Sequence, residues 1–206
     1  QNIYFANRIN DNNLFLTNWF NGFIFDSDKS WFEINDFDES AGDIKGVWEL
    51  SRWYWTVRVA ADSSLTHNKK LSLLHDKTSE WMQQNPYLLG PNWKCGQETS
   101  LRVIHFIFSL RLLGLGPAHL DGSQVEFIKI HLDRILPTLS YARGQKNNHW
   151  ISEIAALFIG GVWLRNNHIS PKRPYFEIAV KQLRLALKKL FNDDGSFAQS
   201  SFNYLR

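Results

Sequence analysis

The sequence predicts an all-α protein built of antiparallel helical hairpins, arranged as a solenoid or a ring. Three observations carry this. Apolar residues recur at three- and four-residue steps from Lys45 onward. Short connections separate the helical stretches, which makes consecutive helices antiparallel neighbours. Strand–helix alternation and a glycine-rich phosphate loop are both missing, which argues against a Rossmann fold.

The elements follow in order. Residues 1–44 are polar, dotted with aromatics and rich in Asn and Asp, and read as an N-terminal arm packing on a body. Short extended pieces are expected at 14–20 and 23–25, with a glycine between them. From Lys45, the spacing of Trp48, Arg52, Trp55 and Val59 predicts a helix. A second helix is predicted over 67–84, stopped by Asn85-Pro86. The loop NPYLLGPNWKCG leads into a third over 97–113, which ends at Gly114-Leu115-Gly116-Pro117. A fourth is expected over 123–136, a fifth over 148–166 and a sixth over 175–191. Residues 201–206 read as the start of a further element, as in a longer protein.

Composition narrows the function classes. The chain has 206 residues and a formal charge of +3, with no Lys/Arg block that would track a nucleic acid. The densest basic stretch, 181–189, reads as the solvated face of an amphipathic helix. Nine Trp, fifteen Phe and six Tyr suit either a large aromatic core or a groove that stacks sugar rings. Cys95 is the single cysteine, so an intramolecular disulfide and a cysteine-rich metal site are excluded. No run of about 20 apolar residues is present to span a membrane, and no signal peptide is visible at Gln1.

The residues with chemical potential fall in two segments. Asn147-Asn148-His149 precedes an apolar-periodic run where a helix begins. Either asparagine can cap it, and Glu153 adds a favourable charge near its start. The same groups can also hydrogen-bond an anion, because a helix N-terminus attracts negative charge. Downstream, Asp193-Asp194-Gly195-Ser196 is a turn signature, followed by Gln199, Ser200 and Tyr204 at helical spacing. The Tyr204 phenol can act as acid or base if neighbours lower its pKa from about 10. A second Asn-Asn-His, at 166–168, reads as a helix exit.

Two Glu/Arg pairs, Glu49 with Arg52 and Glu98 with Arg102, stand three and four residues apart on one helical side. They read as helix-locking ion pairs or as the lining of a cleft. Asn92 and Trp93, in the loop before the second pair, can bind hydroxyls and stack on a sugar, or Trp93 can plug the core. His105 reads as a buried, satisfied histidine. No HExxH or GxSxG pattern is present. Asp193 and Asp194 are too close in sequence to flank a glycosidic bond.

Four stretches, KGVWELSRW (45–53), NPYLLGPNWKCGQETSLR (85–102), NNHWISEIAAL (147–157) and DGSFAQSSFNY (194–204), resemble the N-terminal helical domain of the heparinase II/III-like and alginate lyase superfamily. The resemblance covers 45–206. It implies an incomplete α/α toroid followed by an antiparallel β-sandwich that these residues do not include. It implies cleavage of a uronic-acid-containing polysaccharide by β-elimination, in a periplasmic or extracellular setting. Asn148, His149 and Tyr204 fall at the family's catalytic positions. Trp48, Glu49, Arg52, Asn92, Trp93, Glu98, Arg102 and Asn147 fall at groove and substrate-binding positions. A further histidine is expected from the sheet domain. Cys95 and Gly96 depart from the small polar residues that relatives tend to carry there.

The expected partner is an acidic polysaccharide or oligosaccharide, with no nucleic acid and no membrane span. No cofactor is expected in this chain, and any structural metal would belong to the sheet domain. Two alternatives stand beside the lyase. An α/α-toroid glycoside hydrolase needs two acids across a cleft and gives no unsaturated product. A non-catalytic glycan-binding domain would bind without cleavage.

Overall fold

A computed structural model describes residues 12–35 and 37–198. Tyr204, Gln199 and Ser200 lie outside the described residues. The described chain is all-α: α1 (Lys45–Ser51), α2 (Tyr54–Ala61), α3 (His67–Gln84), α4 (Gly96–Leu112), α5 (Gly122–Gln145), α6 (Asn148–Asn166) and α7 (Tyr175–Leu190). The pairs α2/α3, α4/α5, α5/α6 and α6/α7 pack as hairpins, and alternate helices also touch. Thus α2, α4 and α6 form one row, while α3, α5 and α7 form a second.

The single helix expected from Lys45 through Val59 is broken. Trp53 adopts a left-handed conformation with φ 63°, which separates α1 from α2. Such a conformation costs on the order of 1–3 kcal/mol in a residue other than glycine. Burial of the indole offsets it. Trp53 is fully buried, with ring centroids 4.5 Å from Phe127, 5.3 Å from Phe106 and 6.4 Å from Trp81. The carbonyls freed at the break find partners: Trp53 O accepts from Thr56 Oγ1 at 2.8 Å, and Arg52 O lies 2.6 Å from His105 Nδ1.

Helix α3 begins and ends where expected. The Thr66 hydroxyl accepts from Lys69 N at 3.3 Å, and Leu74, Lys77, Thr78 and Trp81 form its buried stripe. The fourth predicted helix was expected to stop at 136, just before Pro137. Instead α5 runs through Pro137 to Gln145. An internal proline costs about 3 kcal/mol, but stopping there would unpack Leu139 and Ala142, which are buried.

Helix α6 is apolar around most of its circumference, because α4, α5 and α7 all pack on it. It approaches α7 closely: a Cβ on Gly161 would come within 2.8 Å of the Phe176 backbone nitrogen. Asn167 caps its C-terminus and His168 follows in the left-handed region, so the second Asn-Asn-His is a helix exit.

The segment before α1 folds onto the helices. Thr17 and Ile24 form an isolated antiparallel bridge, and Ser30 pairs likewise with Leu89. The buried Asn18 amide donates to Ala41 O at 2.7 Å and Asp43 O at 3.0 Å. Phe25, Ile34, Ala41, Ile44 and Val47 make a small second core there.

Candidate functional site

The N-terminal ends of α4 and α6 lie side by side, with the C-terminal end of α1 against α4. Most of the residues singled out in the sequence gather here, in two shells of different character.

The inner shell is buried framework. Arg102 is fully buried. Its Nε donates to Ser51 O at 2.7 Å and its Nη2 to Asn92 O at 2.9 Å, while Nη1 lies 3.1 Å from His131 Nε2. One α4 guanidinium therefore holds both the end of α1 and the loop before α4. Burial pushes its pKa down to about 9, so it stays charged at neutral pH. His131 is also fully buried, and burial with the adjacent Arg102 charge drives its pKa well down. The neutral ring then donates from Nδ1 to Phe127 O at 2.6 Å and accepts at Nε2 from Arg102.

Trp93 is fully buried, with Nε1 bonded to Asn85 O at 3.2 Å and its ring edge-on to Trp81. The core-plug reading of Trp93 therefore holds, and no face is open to stack on a sugar. Asn92 is equally buried, its amide donating to Phe15 O at 2.7 Å and Asn85 Oδ1 at 2.8 Å. Asn92, Trp93 and Arg102 shape the floor of the site without reaching solvent. Trp48 is half-buried and ties α1 to the same loop, with Nε1 bonded to Pro91 O at 3.0 Å.

The outer shell is partly reachable: Glu49 and Arg52 keep exposed surface, while Glu98 is buried. Arg52 pairs with Glu49 as expected. The expected Glu98–Arg102 pair does not form. Glu98 instead takes a two-pronged bond from Arg52, Nε to Oε2 at 2.7 Å and Nη2 to Oε1 at 2.9 Å. Arg102 instead turns to the Ser51 and Asn92 carbonyls and the His131 ring. Both Glu98 and Glu49 hold the Arg52 pKa up, the Glu98 hydrogen bonds most strongly.

At α6 the two asparagines divide their roles. Asn147 is the cap, its Oδ1 accepting from His149 N at 3.0 Å. Asn148 opens the helix half-buried, and its side chain has no hydrogen-bond partner among the described residues. His149 is half-buried as well. Burial lowers its pKa, against a weaker opposite pull from Glu98, so the ring is neutral at neutral pH.

Two further residues escaped the sequence reading. Glu153 was expected as a favourable charge at the start of α6. It lies in the second turn, 3% exposed, with its carboxylate against Gly96 and Oε2 unpartnered. Burial pushes its pKa up to about 8, with Arg134 pulling the other way, so it is chiefly a carboxylic acid at neutral pH. A buried acid four residues after His149 was the available signal. Arg134, from α5, donates to Trp93 O at 2.8 Å and Lys94 O at 3.1 Å and lies 4.1 Å from the centre of the Trp31 ring. Its position three residues after His131 and seven after Phe127, on the buried stripe of α5, was the available signal.

Cys95 stands before α4 with its thiol pushed up to about 11 by burial, so it is not a thiolate at neutral pH. No group of three or more metal-ligating side chains occurs among the described residues, and no helix there is long and apolar enough to cross a membrane. The site thus offers an amide with no partner among the described residues, a neutral imidazole, a carboxylic acid and a fixed guanidinium around two helix N-termini. The chain matches no family model, no curated protein and no solved structure.

Proposed function

We propose that this chain is the helical part of a polysaccharide lyase that cleaves a uronic-acid-containing glycan by β-elimination. The observation that carries the reading is the Asn148 amide, without a hydrogen-bond partner among the described residues, beside the neutral, half-exposed His149 at the start of α6. The two rows of alternating helices are the arrangement an incomplete α/α toroid repeats, which supports the same assignment.

Elimination beside a carboxylate requires three things. The carboxylate must be held so that charge developing on it is stabilised, the C5 proton must be removed, and the O4 leaving group must be protonated. The Asn148 amide and the α6 N-terminus supply hydrogen-bond donors for the first. A neutral imidazole can accept the C5 proton, as its lowered pKa leaves the ring unprotonated at neutral pH. As the C5–H electron pair forms the C4–C5 double bond, the C4–O4 bond breaks. Tyr204 is assigned to protonate O4 by the resemblance, and a sheet-domain histidine would complete the set. Arg52, held by Glu98 and Glu49, fixes the neighbouring wall of the groove.

The test is incubation of the full-length protein with uronate polymers, following the ultraviolet absorbance of the new conjugated double bond. Absorbance should rise with wild type and be lost in Asn148→Ala and Tyr204→Phe. Cleavage without unsaturation would indicate a hydrolase, and binding without cleavage a glycan-binding domain. Either outcome overturns the lyase reading.

A further inference from the structure

The outward face of α7 takes no part in this site. Lys181, Arg184 and Lys188 are exposed along it, and no ion pair among the described residues involves them. Together with Glu177 they line a groove of about 430 Å³ that also includes Phe176, Val180 and Leu185. Phe176 stacks at 5.2 Å on Phe158 of α6, and Arg165 approaches its ring at 5.7 Å. Helix α7 carries four cations against the single acid Glu177, in a chain whose whole formal charge is only +3. No other helix carries so large a net charge.

We propose that this face of α7 is a second binding surface for the acidic polysaccharide, separate from the site at α4 and α6. The argument is charge complementarity along a line. Steps of three and four residues advance about 4.5 and 6 Å along a helix, so the three cations form a ladder. Its spacing suits an extended chain carrying one carboxylate per sugar. Phe176 and Val180 offer an apolar surface for ring faces. Because α6 and α7 are antiparallel, the ladder rises from Phe176, beside the C-terminal half of α6, toward the level of Asn148. A polymer lying on it would be directed toward the end of the array where the proposed cleft lies. This inference rests on the lyase reading for the identity of the ligand and on the α7 surface for its location.

The experiment uses the full-length protein with polygalacturonate and its dimer as probes, with binding measured by calorimetry at two salt concentrations. The triple variant Lys181→Gln, Arg184→Gln, Lys188→Gln should bind the polymer about tenfold more weakly and with a shallower salt dependence. Its affinity for the dimer should be unchanged, and Asn148→Ala should weaken the dimer instead. A control that removes the same charge elsewhere, Arg58→Gln, Lys69→Gln, Arg111→Gln, should leave polymer binding near wild type. Equal polymer affinity in the α7 variant, or an equal loss in the control, overturns the proposal. A helical peptide of Glu and Leu that binds α7 where the polymer does not would also overturn it, in favour of a protein partner. If the α7 variant loses the polymer while wild type forms no unsaturated product, the lyase reading fails and the α7 surface stands.

Discussion

The Glu153 carboxyl group rests on the backbone of Gly96, so close that a methyl group on Gly96 would come within 2.8 Å of the Glu153 carboxyl carbon. The residue that opens α4 and a buried acid from the second turn of α6 therefore share one space.

A double-mutant cycle should detect that contact. Alanine normally favours a helix by about 1 kcal/mol over glycine. In a Glu153→Ala background, Gly96→Ala should stabilise by about that amount. With Glu153 present, the methyl group must displace the carboxyl, and the gain should vanish or reverse. The coupling energy, read by urea denaturation, should lie in the range of about 0.5–3 kcal/mol, and additivity of the two substitutions would refute the shared space.

Glu153 also predicts a pH signature. Its folded pKa is raised from 4.5 to about 8, so the folded state holds a proton that the unfolded chain releases. The associated stability is fully present below pH 4.5 and is lost as pH rises toward 8. Glu153→Gln removes the titration. The variant should match wild type near pH 4.5 and exceed it by on the order of 3 kcal/mol at pH 8. Thermal denaturation across that interval measures the difference.

Arg102 should behave as framework. Arg102→Ala leaves the Ser51 and Asn92 carbonyls unpaired and opens a cavity under Trp81, and it should cost about 3–5 kcal/mol. Arg102→Lys should recover little of this, since an ammonium cannot reproduce the planar three-way contact. Arg52→Lys keeps a charge beside the buried Glu98 but loses one prong of the bond, and it should cost less, about 1–2 kcal/mol. Equal losses in Arg102→Ala and Arg52→Lys would contradict the two-shell arrangement.

The paired asparagines separate stability from chemistry. Asn147→Ala removes the cap of α6 and should cost about 1 kcal/mol in unfolding free energy. Asn148→Ala breaks no hydrogen bond within the described residues, so it should leave stability within about 0.5 kcal/mol. On the proposed function, it should reduce elimination about 100-fold or more. A stable Asn148→Ala protein with full activity removes Asn148 from the reaction.

On the proposed function, His149 should set the acidic limb of the rate. Its pKa lies below the ordinary 6.5, so kcat/KM should fall only as pH drops beneath that value, when the ring gains a proton and ceases to accept one. Because the unfolded chain binds that proton more readily, stability should fall over the same acidic interval. His149→Gln should remove this limb from both profiles.

Helix content was legible wherever the ends carried their own chemistry. Thr66 and Asn85-Pro86 delimit α3 locally, and α3 appears between them. Trp53 and Pro137 were not legible, because tertiary burial sets both. A left-handed tryptophan and a proline inside a helix are each unfavourable locally, and only neighbours distant in sequence reverse that. The site divides the same way. That one of Asn147 and Asn148 caps the helix was readable, but which of them does so depends on backbone angles. The partner of Glu98 was misread because spacing along a helix favours Arg102, whereas Arg52 reaches it from 46 residues away.

Trp53, Trp81 and Trp93 form a chain of indoles, 6.4 Å and 5.3 Å apart and steeply inclined to one another. Rings at such separations couple their electronic transitions, and the coupling survives only while the packing is fixed. The protein thus contains its own optical gauge. Trp53 marks the elbow between α1 and α2, Trp81 belongs to α3, and Trp93 to the loop that carries the site floor. Near-ultraviolet circular dichroism of this trio would register loosening of that floor before helix content in the far ultraviolet changed.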